Sequence, residues 1–167
     1  MSIDRATTML SEDMDKATTT FVAVATNTEP EPTATDAKAT SLAGEVGFKF
    51  FKVSLSQNGN HLGYLGQDDN QWVKIVSEES ALTLEHFPYN GVNYYRNTHD
   101  TSRYISVNDR AYVGFYNWSG ATGFTRDGSY LRSDYNGQYL SYDSKENKYL
   151  TFWDPYVRLD LAFKIAR

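Results

Sequence analysis

Between residues 48 and 167, apolar and polar positions alternate in short runs separated by Gly, Asn, Asp and Ser, and no stretch holds a helical spacing for long. That pattern predicts an all-β domain. Asn-Gly at 58–59, 90–91 and 136–137 and Asp-Gly at 127–128 mark tight turns, because these dipeptides supply positive φ at small steric cost.

The runs also repeat. A shift of 40 residues places Tyr64 on Tyr104, Leu65 on Ile105, Trp72 on Tyr112, Val73 on Val113, Ile75 on Phe115, Ala81 on Ala121 and Leu84 on Phe124. A shift of 35 carries Tyr104, Ile105 and Ser106 onto Tyr139, Leu140 and Ser141. After a two-residue insertion in "SKENK", Tyr112, Val113 and Phe115 fall on Tyr149, Leu150 and Phe152. The units run 48–90, 91–127 and 128–167. Each reads as four short strands, in the third unit about 129–133, 138–142, 148–153 and 159–165.

Three four-stranded units in this length fit a β-trefoil with pseudo-threefold symmetry, in which a barrel and its hairpin cap remove open sheet edges. A propeller needs more blades, and an immunoglobulin-like sandwich carries no threefold echo. Period-two alternation then turns Val73/Ile75, Val113/Phe115 and Leu150/Phe152 inward, with Leu65, Ile105, Leu140, Leu84, Phe124, Phe163 and Ile165 completing the core. Trp72, Tyr112, Tyr116, Tyr149 and Trp153 are left facing outward or into the hairpin cap. The trefoil predicts equivalent surroundings for Tyr64, Tyr104 and Tyr139.

Residues 1–47 differ in kind. They contain ten Thr and eight Ala but a single aromatic, Phe21, and "TEPEPTATDAKAT" reads as an acidic tail or linker in solvent. A short helix at 11–17, capped by Ser11, and docking of the arm on a partner or neighbouring subunit are the alternatives. The formal charge of -5 resides wholly in this segment, since 48–167 holds thirteen acidic and thirteen basic residues. A neutral domain without basic clusters is a poor match for nucleic acid, heparin-like chains or anionic lipid. No signal segment or membrane span is read, which predicts a cytoplasmic or non-classically exported protein. With no cysteine, packing must do the work of disulfides.

"YLRSDYNGQYLSYDSKENKYLTF" resembles one unit of the fascin-like or arabinofuranose-binding β-trefoils, where a Tyr-Leu pair opens the second strand and an apolar pair marks the third. The similarity covers 48–167 and implies a lectin-like or scaffolding module. The Gln-x-Trp signature of ricin-type units is absent, and Ser141 or Gly66 stands where arabinofuranose-binding units carry His. No binding residue carries over.

Catalytic signatures are missing: His61, His86 and His99 stand at unrelated positions of the repeats, and Asp68–Asp69 and Glu78–Glu79 are adjacent pairs that a strand would point apart. A non-enzyme without metal or cofactor is expected. Each unit does join a polar turn to an aromatic: Asp68, Asn70 and Trp72; Asn108, Asp109 and Tyr112; Asp143, Asn147 and Tyr149, with Trp153 nearby. An aromatic face packs against sugar C–H groups while carboxylates and amides take the hydroxyls, so these residues are candidate sites for a carbohydrate or glycoprotein. The same residue types also serve packing and hairpin turns. The other function class is a protein-interaction trefoil, such as a fascin-like scaffold, toxin receptor-binding domain or protease inhibitor, with Tyr116, Trp118, Trp153 and Tyr156 as exposed anchors.

Overall fold

A computed structural model describes residues 19–33 and 49–165. Among them the chain is all-β: thirteen strands, three 3₁₀ turns and no α-helix. The strands are β1 (Phe50–Gln57), β2 (Asn60–Gln67), β3 (Val73–Val76), β4 (Leu84–Tyr89), β5 (Val92–Asn97), β6 (Tyr104–Val107), β7 (Val113–Tyr116), β8 (Phe124–Asp127), β9 (Tyr130–Ser133), β10 (Leu140–Tyr142), β11 (Thr151–Phe152), β12 (Val157–Arg158) and β13 (Asp160–Ile165).

All pairings between strands are antiparallel. The larger sheet follows the order β3-β2-β1-β4-β5-β6-β7, with β8 joining β5 and β9, and β11-β10-β12 form a smaller one. The sheet curls back on itself because β13 pairs along β1 (Phe51↔Ile165, Val53↔Phe163, Leu55↔Leu161), bringing the two ends of the domain together. The turn dipeptides explain the hairpins. Asn58 and Gly59 both hold positive φ (53° and 84°), as do Asn90 and Gly91 (51° and 77°), which suits two-residue loops with both central residues left-handed. The β8–β9 turn is displaced by one residue from the Asp-Gly reading: Asp127 pairs with Tyr130, and Gly128 supplies the positive φ as the first central residue. Asn136-Gly137 lies in a longer turn, closed by Ser133 N–H donating to the Gln138 carbonyl at 2.8 Å and flanked by the antiparallel bridge between Arg132 and Tyr139.

One set of main-chain bonds links distant strands in a closed cycle. Phe115 N–H donates to the Gln71 carbonyl, Phe152 N–H to the Ala111 carbonyl and Ile75 N–H to the Lys148 carbonyl, each at 2.8 Å. The three acceptors share an unusual backbone, with φ of 73° at Gln71, 72° at Ala111 and 70° at Lys148. None is glycine, so each holds roughly 1–3 kcal/mol of backbone strain that the surrounding packing must offset. A second recurrent set bonds Leu82 N–H to the Leu65 carbonyl, Thr122 to Ile105 and Leu159 to Leu140.

Inside the curl, Val73, Ile75, Val113, Phe115, Leu150, Phe152, Leu65, Ile105, Leu140, Leu84 and Phe124 form one buried cluster, as the alternation predicts. The end of β13 departs from it. Phe163 only flanks the core, stacked on Phe51 at 4.4 Å, and Ile165 is 62% exposed because it lies beyond the last layer of that cluster. The repetition is also uneven. The 3₁₀ turns Glu78–Ser80 and Trp118–Gly120 correspond, whereas the third, Ser144–Glu146, lies earlier in its unit and contains the extra residues of "SKENK". Nor are the three tyrosines equivalent: Tyr64 is half-buried against His61, Tyr104 is fully buried, and Tyr139 lies under Arg158 with its hydroxyl donating to Asp127.

The core assignment makes a direct prediction. Phe115→Ala and Leu150→Ala should each lower the unfolding free energy by about 2–5 kcal/mol, while Ile165→Ala should change it by no more than about 0.5 kcal/mol, read from urea midpoints at constant m.

Candidate functional site

Several of the predicted hairpin residues have structural partners. Asp68 Oδ1 accepts from the N–H groups of Asn70 at 2.8 Å and Trp72 at 3.1 Å, while Asp68 Oδ2 accepts the Tyr149 hydroxyl at 2.8 Å. Asn108 is buried and its Oδ1 accepts from Arg110 and Tyr112 N–H, the same turn-closing arrangement. Asp143 Oδ1 accepts from Lys145 N–H, and Asn147 is an exposed left-handed residue ending the 3₁₀ turn. Asp109 is exposed at its turn.

The aromatics do not face solvent. Trp72, Tyr112 and Tyr149 are 4%, 0% and 8% exposed, and they come together instead of marking three separate hairpins. Trp72 meets Tyr112 edge-on at 6.0 Å. Tyr116, Trp153 and Tyr156 pack half-buried on the same cluster, and Trp118 is buried in another with Phe87, Tyr94 and Tyr104. The four expected exposed anchors are therefore largely covered.

Their cover is the arm. The solvated reading of residues 1–47 does not hold for the described stretch 19–33: Phe21 is fully buried, Ala23 and Pro32 are buried, and Val22 and Val24 face solvent. Burying Phe21 alone is worth roughly 1.5–3 kcal/mol, which offsets the ordering of only about one or two residues, so the arm's hydrogen bonds and remaining contacts must supply the rest. The expected helix at 11–17 lies outside the described residues.

Where the arm continues past the aromatics it forms one wall of a cleft. Two hollows of about 370 and 230 Å³ share Thr26, Asn27 and Tyr94. Tyr89, Asn90, Glu29 and Trp118 line the smaller; Val92, Gly123, Asp134 and Tyr135 line the larger. Gly123 makes room here, since a Cβ at that position would sit 2.9 Å from Asp134 Oδ2 and 2.3 Å from Val92 Cγ1. Asp134 Oδ1 accepts the Thr125 hydroxyl at 2.8 Å, which aims the carboxylate. Tyr135 is 40% exposed at the rim. Burial, followed by the charges of Asp134 and Glu29 and the neighbouring Tyr89, pushes the Tyr94 phenol upward, so it stays a hydrogen-bond donor.

Sequence reasoning missed Tyr94, Asp134, Tyr135 and Glu29, and also Glu146, a buried carboxylate that accepts the hydroxyls of Tyr112 and Tyr156. Glu29 approaches from a segment far away in the chain, and no spacing rule connects it with Asp134. Among the described residues no cluster of His, Asp or Glu could hold a metal, and no helix is long and apolar enough to cross a membrane. No family model matches the chain, and no curated protein matches it.

The tyrosine–carboxylate pairs predict an alkaline limit to stability. Burial and then the bond to Asp68 push Tyr149 up to about 12 from 10.0; Tyr156 and Tyr104 are raised for the same reasons, burial first and then Glu146 and Glu31. The folded protein holds these protons more tightly than the unfolded chain, so their contribution is intact below the ordinary value of 10.0 and is lost as pH rises through about 12. Urea midpoints should stay level up to about pH 10 and fall beyond it, and Tyr149→Phe should make that fall shallower.

Proposed function

We propose that the chain is a β-trefoil and a non-catalytic, lectin-like module that binds carbohydrate in the cleft between its arm and β5. The fold reading draws support from the closed cycle of bonds joining β3, β7 and the start of β11, together with the matching left-handed residues Gln71, Ala111 and Lys148. A cycle of three like contacts suits a pseudo-threefold barrel with a hairpin cap, although the unequal surroundings of Tyr64, Tyr104 and Tyr139 depart from exact threefold symmetry.

The saccharide reading rests on one observation: Tyr94 and Tyr135 share a hollow with Asp134, whose Oδ2 accepts from no described residue. An aromatic surface beside an oriented carboxylate suits a pyranose or furanose, which packs its C–H face on the ring and donates hydroxyl protons to the oxygen. Asn90 and Glu29 in the adjoining hollow add amide and carboxylate partners for a second ring. The size of the hollows falls at the lower end of what small-ligand sites use. Of the paired acids, Asp68 has both oxygens engaged, and Glu78 and Glu79 stand in an exposed turn without facing a cavity wall of opposed carboxylates. That arrangement favours holding a sugar over cleaving one.

A glycan array followed by titration calorimetry tests the assignment. A bound saccharide should lose roughly 10-fold or more in affinity with Asp134→Asn and with Tyr135→Ala, while Asp109→Ala, at a distant exposed turn, should leave it within about twofold. The assignment fails if no saccharide binds at millimolar concentration, or if Asp134→Asn binds as well as the parent.

A further inference from the structure

Phe21 occupies a socket shaped for a ring. It stands edge-on to Trp72 at 5.1 Å, and a Cβ on Gly114 would fall 2.1 Å from Phe21 Cγ, so bare backbone forms the floor. Under the repeat shifts, Lys74 and Thr151 stand at the places corresponding to Gly114, and only Gly114 leaves the space. This aromatic cluster is separate from the main core, so emptying the socket does not open the barrel interior.

Most remaining contacts to the arm use its main chain. Phe21 N–H donates to the Asn70 carbonyl at 2.9 Å, and Thr26 and Asn27 N–H both donate to the Ser119 carbonyl at 2.8 and 2.9 Å. The indoles of Trp72 and Trp118 donate to the carbonyls of Thr19 and Glu29. Asn27 Nδ2 donates to the carbonyls of Trp118 and Ala121, and Glu31 accepts the Tyr104 hydroxyl. Main-chain registration with a few side-chain anchors is how extended peptides are recognised. Nothing in these contacts requires the peptide to belong to the same chain.

We propose that this groove is an acceptor site for residues 19–33 of a second copy, so that two copies can exchange arms. A second copy carries the one peptide the groove already fits, contact for contact, which makes exchange neutral in contact energy. The fifteen residues 34–48 between arm and domain could reach across on the order of 50 Å when extended. The resident arm competes at an effective concentration of about millimolar, so the site is open to another copy mainly when the resident arm is unseated. This inference is independent of what the cleft binds.

Two full-length variants and one peptide test it. Phe21→Ala empties the socket, whereas Gly114→Ala fills its floor and frees an intact arm. A labelled peptide of residues 19–33 should bind Phe21→Ala at least about 10-fold more tightly than the parent, whose own arm competes. The same peptide carrying Phe21→Ala should bind at least about 10-fold more weakly. Mixed together, the two full-length variants should form a one-to-one complex in sedimentation, with each variant alone remaining monomeric. Near-UV circular dichroism reports whether both are folded. Failure of the peptide to bind folded Phe21→Ala overturns the acceptor site. Peptide binding without a complex in the mixture overturns the second copy as its occupant.

Discussion

The curled sheet depends on three carbonyls pointing sideways. Gln71, Ala111 and Lys148 each take a left-handed backbone so that their carbonyls meet N–H groups of β7, β11 and β3, in a cycle with no free end. Each bond alone contributes about 0.5–1.5 kcal/mol, comparable with the strain of the residue that accepts it. The arrangement therefore persists through the apolar layer it aligns: Val73, Val113 and Leu150, and next to them Ile75, Phe115 and Phe152, reach one cluster because the cycle fixes their strands together. A chain without cysteine obtains cross-links between distant strands in this way.

The hairpin aromatics gain another role from the same convergence. Drawn toward one another, Trp72, Tyr112 and Tyr149 cannot serve three independent surfaces, and their polar edges are satisfied within the protein by Thr19, Glu146 and Asp68. The arm then covers what remains with Phe21 and Ala23. Beyond this cover the arm borders a cleft in which Asp134 keeps an oxygen available. Phe21 and Ala23 thus pack on the aromatics, while Thr26 and Asn27 of the same segment line the cleft.

The all-β class, the hairpins at Asn58-Gly59 and Asn90-Gly91 and the part of the core that the repeat shifts align could be read from the chain, because alternation and turn chemistry are local, whereas Phe51, Val53 and Leu55 of β1 and Leu159 and Leu161 near the end of the domain fall outside that match. Phe163 and Ile165 show where that reading ends: they keep the period of the core, but β13 runs past the layer that would bury them. Trp72, Tyr112 and Tyr149 alternate with the core residues, and they do gather in a cluster separate from the main core. What covers them comes from residue 21, and no local pattern states that. A cue was present all the same, in a single Phe placed among alternating Val and Ala within a segment otherwise made for water. Tyr64, Tyr104 and Tyr139 teach the complementary lesson, since letters that match under the repeat shifts share neither neighbours nor the same place in a strand.

The missing side chain at Gly114 settles an ambiguity that near-repetition creates. A ring of look-alike positions would offer an incoming strand several berths of similar merit, and the strand would then sample all of them. Lys74 and Thr151 stand at the alternatives given by the repeat shifts, so only the berth at Gly114 has a floor of bare backbone. The smallest residue thus acts as the address label that an imperfectly repeated scaffold would otherwise lack.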